Sequence, residues 1–176
     1  AHIINATLER NPNLPPEAVE DIIMGCGNPE GAQGHNVGRN AAVLSNLPIT
    51  TGGTTINRYC SSGMQSISMA ASQIMAGCYD TVIAGGAETI SMMQGKQNMD
   101  NFVNERLAEK SPGIYYPMGM TAEVVAKRYN VSREAQDEYA FESQMRTAAA
   151  QQAGAYDDEI IPCLLYTSDA ADEIVR

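Results

Sequence analysis

The stretch T-I-N-R-Y-C-S-S-G-M-Q-S at residues 55–66 decides the fold class and marks the candidate site. It predicts a short β-branched strand, a tight turn, and a helix whose first turn carries Cys60. The unpaired N–H groups and positive dipole end of a helix N-terminus stabilise an anion, so a cysteine there holds more of its nucleophilic thiolate form. Ser61, Ser62 and Gly63 are small and leave room for a substrate near the sulfur. We therefore select Cys60 as the candidate nucleophile.

Composition argues against several classes of protein before any other motif is considered. The 176 residues are 44% hydrophobic, which suffices for a packed domain and argues against disorder. The net charge of −10, without a run of lysine or arginine, argues against a nucleic-acid partner. With neither a membrane-spanning apolar run nor a signal-peptide pattern, we expect a cytoplasmic protein of bacterial type, or a mitochondrial or peroxisomal one in a eukaryote.

The four cysteines indicate reducing surroundings. Cys26, Cys60, Cys78 and Cys163 show no paired C-x-x-C spacing. This scatter argues against a disulfide framework and a zinc site, and we expect no bound metal. Cys26 and Cys78 end apolar segments, so we assign both to the core.

Hydrophobic patterning alternates strands with helices over the first half of the chain. Strand patterns occupy residues 20–26, 54–58 and 80–88, and helical patterns occupy residues 2–10, 37–46 and 60–77. This alternation predicts an α/β sandwich with largely parallel strands. On the last of these helices Met64, Ile67 and Ile74 share one face, which we assign to core or interface rather than to a cofactor site.

The second half of the chain is predicted to be a loop followed by helices. Residues 91–113 are polar and methionine-rich without helical or strand periodicity, so we expect a loop region there. Residues 120–129 have a helical pattern. Ser132 is a good N-cap for a further helix that runs to Gln152, with Gly154 as its C-terminal cap.

Several blocks of this sequence, in one order, resemble thiolases, the coenzyme A-dependent acyltransferases that cleave or form 3-oxoacyl-CoA. The blocks are G-H-N-V-G-R-N-A-A at 34–42, N-R-Y-C-S-S-G-M-Q at 57–65, A-G-G-A-E-T-I-S-M-M at 84–93, M-G-M-T-A-E at 118–123, S-R-E-A-Q-D at 132–137 and G-A-Y-D-D-E-I-I-P at 154–162. The resemblance implies an α/β thiolase fold truncated at both ends. Residues 1–91 would be an N-terminal half-domain of βαβα layers with a mixed sheet, and 92–162 the start of a largely helical loop domain.

The resemblance implies the chemistry of a 3-ketoacyl-CoA thiolase of β-oxidation. The Cys60 thiolate would attack the 3-keto carbonyl and release acetyl-CoA, and coenzyme A, a substrate rather than a bound cofactor, would then remove the acyl group from the thioester. The Cys60 backbone N–H would stabilise the oxyanion. Met118 lies where the family contacts substrate, and Pro117, in place of a histidine, favours longer acyl chains. A homodimer or homotetramer is implied for the full-length parent.

Other functions stay open at this point. An acetoacetyl-CoA thiolase (acetyl-CoA C-acetyltransferase) shares the chemistry and differs in pocket size. A thiolase-fold protein without catalysis, which binds acyl-CoA or a partner protein, would belong to another class. A ketoacyl synthase-type condensing enzyme fits the blocks at 84–93 and 118–123 less well.

The resemblance places other parts of the machinery outside these residues. The family's activating histidine (G-H-P), second cysteine (C-x-G) and asparagine (N-E-A-F) have no counterpart here, so we expect this chain alone to be inactive. Residues 163–176 resemble translated sequencing-adapter read-through, and we interpret them as a non-native tail.

We predict that the chain alone is prone to aggregate. The family's first strand precedes the segment that matches residue 1, and its loss should separate the strands at 20–26 and 80–86 and expose apolar faces. The expected observations are strong binding of a dye that senses apolar surface and a broad thermal transition. A cooperative transition with low dye binding would contradict the prediction.

Overall fold

The computed structural model describes residues 1–163; residues 164–176, nearly all of the proposed tail, lie outside the described residues. The helices are α1 (His2–Arg10), α2 (Val37–Leu44), α3 (Ser62–Met75), α4 (Ile90–Met93), α5 (Glu105–Lys110), α6 (Met118–Tyr129) and α7 (Arg133–Gln152). The strands are β1 (Asp21–Gly25), β2 (Thr54–Ile56) and β3 (Val82–Gly86), and short 3₁₀ turns occupy Pro16–Ala18 and Gly31–Gln33. The chain divides into two compact units, Ala1–Gln97 and Asn98–Arg176.

β1 is the central strand of a three-stranded sheet with the order β2-β1-β3. Ile23 of β1 pairs in parallel with Thr54 of β2 and with Ala84 of β3. The connections through α2 and α3 give the alternating α/β arrangement that the sequence predicts. All strand pairs within residues 1–163 are parallel, so the antiparallel member that a mixed sheet requires is not among these three strands.

The strands at 20–26 and 80–86, which the family resemblance predicts to be separated by another strand, are direct neighbours. β1 and β3 pair along their whole length, from Asp21 opposite Val82 to Gly25 opposite Gly86. β1 therefore has a hydrogen-bonded neighbour on each side. The prediction that another strand must separate these two is wrong for this chain, because their backbone groups satisfy one another directly.

The core of the first unit is formed by α1, α2, β1 and the loops that join them. Its buried members are Ile4, Leu8, Val19, Ile22, Ala42 and Leu47. On α2 the inner face holds Gly38 and Ala42, whereas the larger Leu44 is 78% exposed. A Cβ on Gly38 would lie 2.2 Å from the Thr54 carbonyl oxygen. The α2 backbone thus lies too close to β2 for any larger residue, and this contact sets which face of the helix turns inward.

α3 packs on β1 and β3 with its small residues rather than with its apolar ones. The buried side chains of α3 are those of Ser62, Ser66 and Ala70. The Ser66 Oγ lies 2.7 Å from the Gly85 carbonyl oxygen and ties the helix to β3. Met64, Ile67 and Ile74 are 71, 59 and 42% exposed. Their assignment to the core is therefore wrong, and only the interface alternative remains for them.

The second unit, as far as it is described, consists of α5, α6 and α7, none of which contains a buried residue. Residues 91–113, predicted to be loop, include α5 and most of α4. Asn104 and Ser132 cap α5 and α7 by accepting N–H groups three residues further on, at 3.0 and 3.2 Å. Gly154 follows α7 with a φ of +69°, as its predicted role as a cap requires. None of the described helices has the length and apolar character needed to cross a membrane.

The buried carboxyl of Asp21, at the start of β1, should make the stability of the fold depend on pH. It is 8% exposed, and its Oδ1 accepts the Ile22 N–H at 2.8 Å. Burial raises the pKa of the Asp21 carboxyl above its ordinary value of 3.8, and that hydrogen bond opposes the rise only in part. Because the folded pKa is raised, this carboxyl stabilises the fold below about pH 3.8, and the contribution is lost as pH rises through the folded pKa. We therefore expect Asp21→Asn to raise the thermal midpoint at pH 7, with the gain shrinking toward pH 4.

Asp80 provides the matched control for this measurement. It is an exposed carboxyl shortly before β3, and Asp80→Asn changes the net charge by the same amount. Its midpoint should follow that of the unsubstituted chain from pH 4 to pH 7. An equal gain in both variants would mean that net charge, rather than the burial of Asp21, sets the effect.

Candidate active site

Cys60 lies in the turn that joins β2 to α3. The helix begins at Ser62, so Cys60 precedes it by two residues instead of lying in its first turn as predicted. Tyr59 has a φ of +48°, in the left-handed region. The Ser62 hydroxyl holds this turn, since it accepts the Arg58 N–H at 2.8 Å and donates to the Tyr59 carbonyl at 2.6 Å. The turn leaves the Cys60 thiol exposed.

A cavity of about 450 Å³ includes Cys60 in its lining. Its other lining residues come from the end of β1 (Gly25, Gly27, Asn28), the start of α3 (Ser62, Gly63) and the end of β3 (Gly86, Ala87, Glu88), together with Tyr59 and Ile90. Ligands of open parallel α/β sheets bind at the carboxyl ends of the strands, which is where this cavity lies. The predicted small neighbours Ser62 and Gly63 do line the space beside the sulfur.

Gly25 brings the helix backbone directly onto the sheet. A Cβ on Gly25 would lie 2.3 Å from the Ser62 carbonyl carbon and 2.6 Å from the Gly63 nitrogen. Real Cβ atoms do not approach so closely, so any side chain at Gly25 would push the start of α3 away from β1. The absence of a side chain at this position thus sets the distance between the strand end and the Cys60 turn.

The backbone of the turn leaves one donor available beside the sulfur. The Ser61 and Ser62 N–H groups donate to the Arg58 and Tyr59 carbonyls at 3.1 and 3.0 Å. The Cys60 N–H has no acceptor within hydrogen-bonding distance among residues 1–163. A donor adjacent to a nucleophile can stabilise the oxyanion that forms when the nucleophile adds to a carbonyl.

Sequence reasoning missed the contacts of Glu88 and Gln33. The Glu88 carboxylate accepts the Gly27 N–H at 2.6 Å and the Gln33 Nε2 at 2.7 Å, and its Oε1 lies 3.9 Å from the Cys26 sulfur. The only signal in the sequence is the position of Glu88 within the block at 84–93. Burial raises the pKa of the Cys26 thiol and the Glu88 carboxylate raises it further, against an opposing backbone hydrogen bond from Asn28. Cys26 is therefore held as a neutral thiol and does not compete as a nucleophile.

Neither Cys26 nor Cys78 is among the residues that line this cavity, and the predicted substrate contact Met118 belongs to the second unit. Cys26 is 1% exposed, as expected for a core residue, but Cys78 is exposed. Gly77, with a φ of +71°, turns the chain after α3 and carries Cys78 out of the core, so its core assignment is wrong. Met118 begins α6 in the second unit and is 69% exposed. Among residues 1–163, no three His, Cys, Asp or Glu residues form a group that could hold a metal ion.

The site and fold together define a parallel α/β unit with an exposed thiol at a strand-to-helix turn, and comparison with known proteins gives the family. A sequence model of the family described as "Thiolase, N-terminal domain" matches residues 1–176. The chain is 47% identical over 157 residues to a 3-ketoacyl-CoA thiolase of Bacillus subtilis (strain 168), covering 88% of this chain and 39% of that protein. The chain therefore belongs to the thiolase family.

Two further relatives show the same relationship. An acetyl-CoA acetyltransferase of Chromobacterium violaceum is 40% identical over 178 residues, which cover 94% of this chain and 44% of that protein. A 3-ketoacyl-CoA thiolase of Erwinia tasmaniensis is 37% identical over 183 residues, which cover 100% of this chain and 46% of that protein. The chain thus spans less than half the length of these relatives.

The two glycines that meet at the start of α3 give a matched pair of substitutions. We expect Gly25→Ala to destabilise the fold by about 1–3 kcal/mol or more, because its methyl group overlaps the Ser62 backbone. A Cβ on Gly63 meets nothing within 4 Å, so Gly63→Ala should cost nothing and can gain up to about 1 kcal/mol of helix stability. Urea unfolding of the two variants measures both effects. Equal stability of the two would contradict the close approach of α3 to β1.

Proposed function

We propose that this chain is the nucleophile-bearing half of a thiolase that cleaves 3-oxoacyl-CoA with coenzyme A, giving acetyl-CoA and a shortened acyl-CoA. The observation that supports it most directly is the exposed Cys60 thiol in the lining of a glycine-rich cavity, beside its own uncommitted N–H. The names of the relatives supply the reaction class. The small side chains around the sulfur leave room for a carbonyl carbon to approach it.

The reaction divides into two transfers at Cys60. In the first, the thiolate adds to the 3-keto carbon, and the carbonyl oxygen becomes an oxyanion that the Cys60 N–H is placed to stabilise; such a donor contributes about 3–4 kcal/mol elsewhere. Collapse of the oxyanion breaks the bond between C2 and C3, and the electron pair leaves on the acetyl-CoA carbon, which takes up a proton. In the second, the coenzyme A sulfur attacks the Cys60 thioester and restores the thiolate. The family resemblance assigns the proton transfers to blocks that these residues do not contain.

Within this proposal we favour the 3-ketoacyl-CoA thiolase of β-oxidation over the acetoacetyl-CoA enzyme. The P-M-G sequence at 117–119, which lacks a histidine before Met118, supports that preference, as does the similarity to two 3-ketoacyl-CoA thiolases. The proposal includes a cytoplasmic location of bacterial type. We also propose that Met118 contacts the substrate. Residues 1–91 would form a core domain, and residues 92–162 the start of a loop domain.

The outward face of α3 supports a homo-oligomeric parent protein. Met64, Ile67 and Met75 are 71, 59 and 87% exposed on this helix. A row of large apolar side chains on a surface marks a site of association more often than a free surface. We therefore propose a dimer or tetramer for the full-length parent.

Two thiols at the ends of α3 allow a direct test of the nucleophile. Cys60 precedes the N-terminus of the helix and Cys78 follows its C-terminus, and both are exposed. Negative charge is favoured near the N-terminal end of a helix and disfavoured near its C-terminal end. We expect iodoacetamide to alkylate Cys60 several-fold faster than Cys78 at pH 7, measured by mass spectrometry of peptides.

Two other thiols serve as controls in the same experiment. Cys60→Ala identifies the fast site, and Cys26 should stay unlabelled throughout. Equal rates at pH 7 would overturn the assignment of Cys60 and favour the non-catalytic alternative.

A further inference from the structure

Glu88 joins the end of β3 to the turn that follows β1. Its Oε2 accepts the Gly27 N–H at 2.6 Å, and its Oε1 accepts the Gln33 Nε2 at 2.7 Å and lies 3.9 Å from the Cys26 sulfur. Gly27 and Gln33 are 61 and 55 residues away from Glu88 in the sequence. Hydrogen bonds to an ionised carboxylate are roughly twice as strong as neutral ones. The carboxylate therefore holds a segment that the strands alone do not fix.

The hydrogen bonds of the buried Gln33 amide require a hydrogen-bond acceptor at position 88. It is 3% exposed, and its Nε2 also donates to the Asn28 carbonyl at 2.9 Å. Its Oε1 accepts the Thr89 N–H, so both the oxygen and the nitrogen of the amide are hydrogen-bonded. Reversing the amide would set its oxygen against Glu88 and its N–H groups against the Thr89 N–H. The buried amide is thus complete only when the residue at the Glu88 position offers an acceptor.

The segment held by Glu88 forms part of the Cys60 cavity. Gly27, Asn28 and Glu88 line that cavity together with Cys60. A Cβ on Gly27 would lie 2.9 Å from the Glu88 Oε2, so the turn packs directly on the carboxylate. Loss of the two N–H bonds would free Gly27 and Asn28 to move relative to β3. Glu88 therefore ties one side of the cavity to the end of β3.

We propose that Glu88 is a positioning residue of the Cys60 site, which holds Gly27 and Asn28 against the end of β3 and so fixes the wall that the acyl chain of the substrate meets. The proposal rests on the proposed function of Cys60. Glu88 acts through the turn that it holds and takes no part in the bonds that form and break. Gln33 is its partner, because it presents the donor that the carboxylate accepts.

Three variants of the full chain separate this role from a general loss of stability. Glu88→Gln keeps the size of the side chain but removes one acceptor, so it cannot accept from both Gly27 and Gln33. Gln33→Glu sets two carboxylates where donor and acceptor now lie 2.7 Å apart. The double variant restores a donor opposite an acceptor, because the new amide can donate to the new carboxylate. It loses the bond to Asn28 and sets a carboxylate oxygen where the Gln33 Nε2 now lies, 2.9 Å from the Asn28 carbonyl oxygen, so we expect its recovery to be partial.

Alkylation by two reagents provides the readout. Iodoacetamide and N-hexyl iodoacetamide react with the same Cys60 thiolate, so the ratio of their rates reports the shape of the cavity and not the thiolate fraction. Cys26 reports opening of the turn, because it is 1% exposed. Its rate in Gln33→Glu is the more specific reading, because that variant keeps the Glu88 carboxylate, which raises the pKa of Cys26. For each single variant we expect Cys26 labelling to rise about tenfold or more, as the loss of one charge-assisted bond implies. The reagent ratio at Cys60 should change several-fold, and Cys78 labelling should not change.

The double variant decides the outcome. Partial recovery of both the Cys26 rate and the Cys60 reagent ratio toward those of the unsubstituted chain supports the role of Glu88. Single variants that behave like the unsubstituted chain, or a double variant no better than the single ones, overturn it. Failure of the proposed function is recognised separately, since it would appear as equal Cys60 and Cys78 rates in the unsubstituted chain.

Discussion

The contact on which this structure depends is the backbone-to-backbone approach of the first turn of α3 to the last residue of β1. A Cβ on Gly25 would fall 2.3 Å from the Ser62 carbonyl carbon, so no other residue fits there without moving the helix. That approach fixes where β2 must turn and where the left-handed residue Tyr59 lies. It thereby places Cys60 in the lining of the cavity at the carboxyl ends of β1 and β3. The candidate site follows from this missing side chain.

The same close approach reverses the usual relation between polarity and burial on α3. Only small residues fit against the glycine-rich strand ends, so Ser62 and Ser66 face inward and Met64 faces solvent. A buried hydroxyl is costly unless it finds a partner. Ser66 finds one in the Gly85 carbonyl at 2.7 Å, which compensates the cost and ties the helix to β3. The helix is held by short contacts and side-chain hydrogen bonds, and its apolar side remains available for association.

The order and type of most elements could be predicted from periodicity, and the Ser132 cap from local chemistry, whereas Cys60 lies two residues before α3 and not in its first turn. The inward faces of α2 and α3 could not, because they depend on glycine contacts such as that of Gly38 with Thr54 rather than on hydrophobic pattern. Nor could the pairing of β1 with β3, since nothing local to either strand states its neighbour. The contacts of Glu88 join residues 55 and 61 positions apart, and no spacing rule connects them. Prediction therefore failed where distant backbone segments meet.

The fold gives three thiols of the first unit different exposure and different electrostatic surroundings. Cys26 is buried and faces a carboxylate, and both effects raise its pKa and keep it neutral. Cys78 is exposed but follows the C-terminal end of α3, where the helix dipole opposes a negative charge. Cys60 is exposed at the opposite end, beside an N–H that no acceptor among residues 1–163 occupies. Among these three thiols, exposure coincides with a helix N-terminus and an adjacent backbone N–H at Cys60, and this combination supports the proposal that Cys60 is the nucleophile.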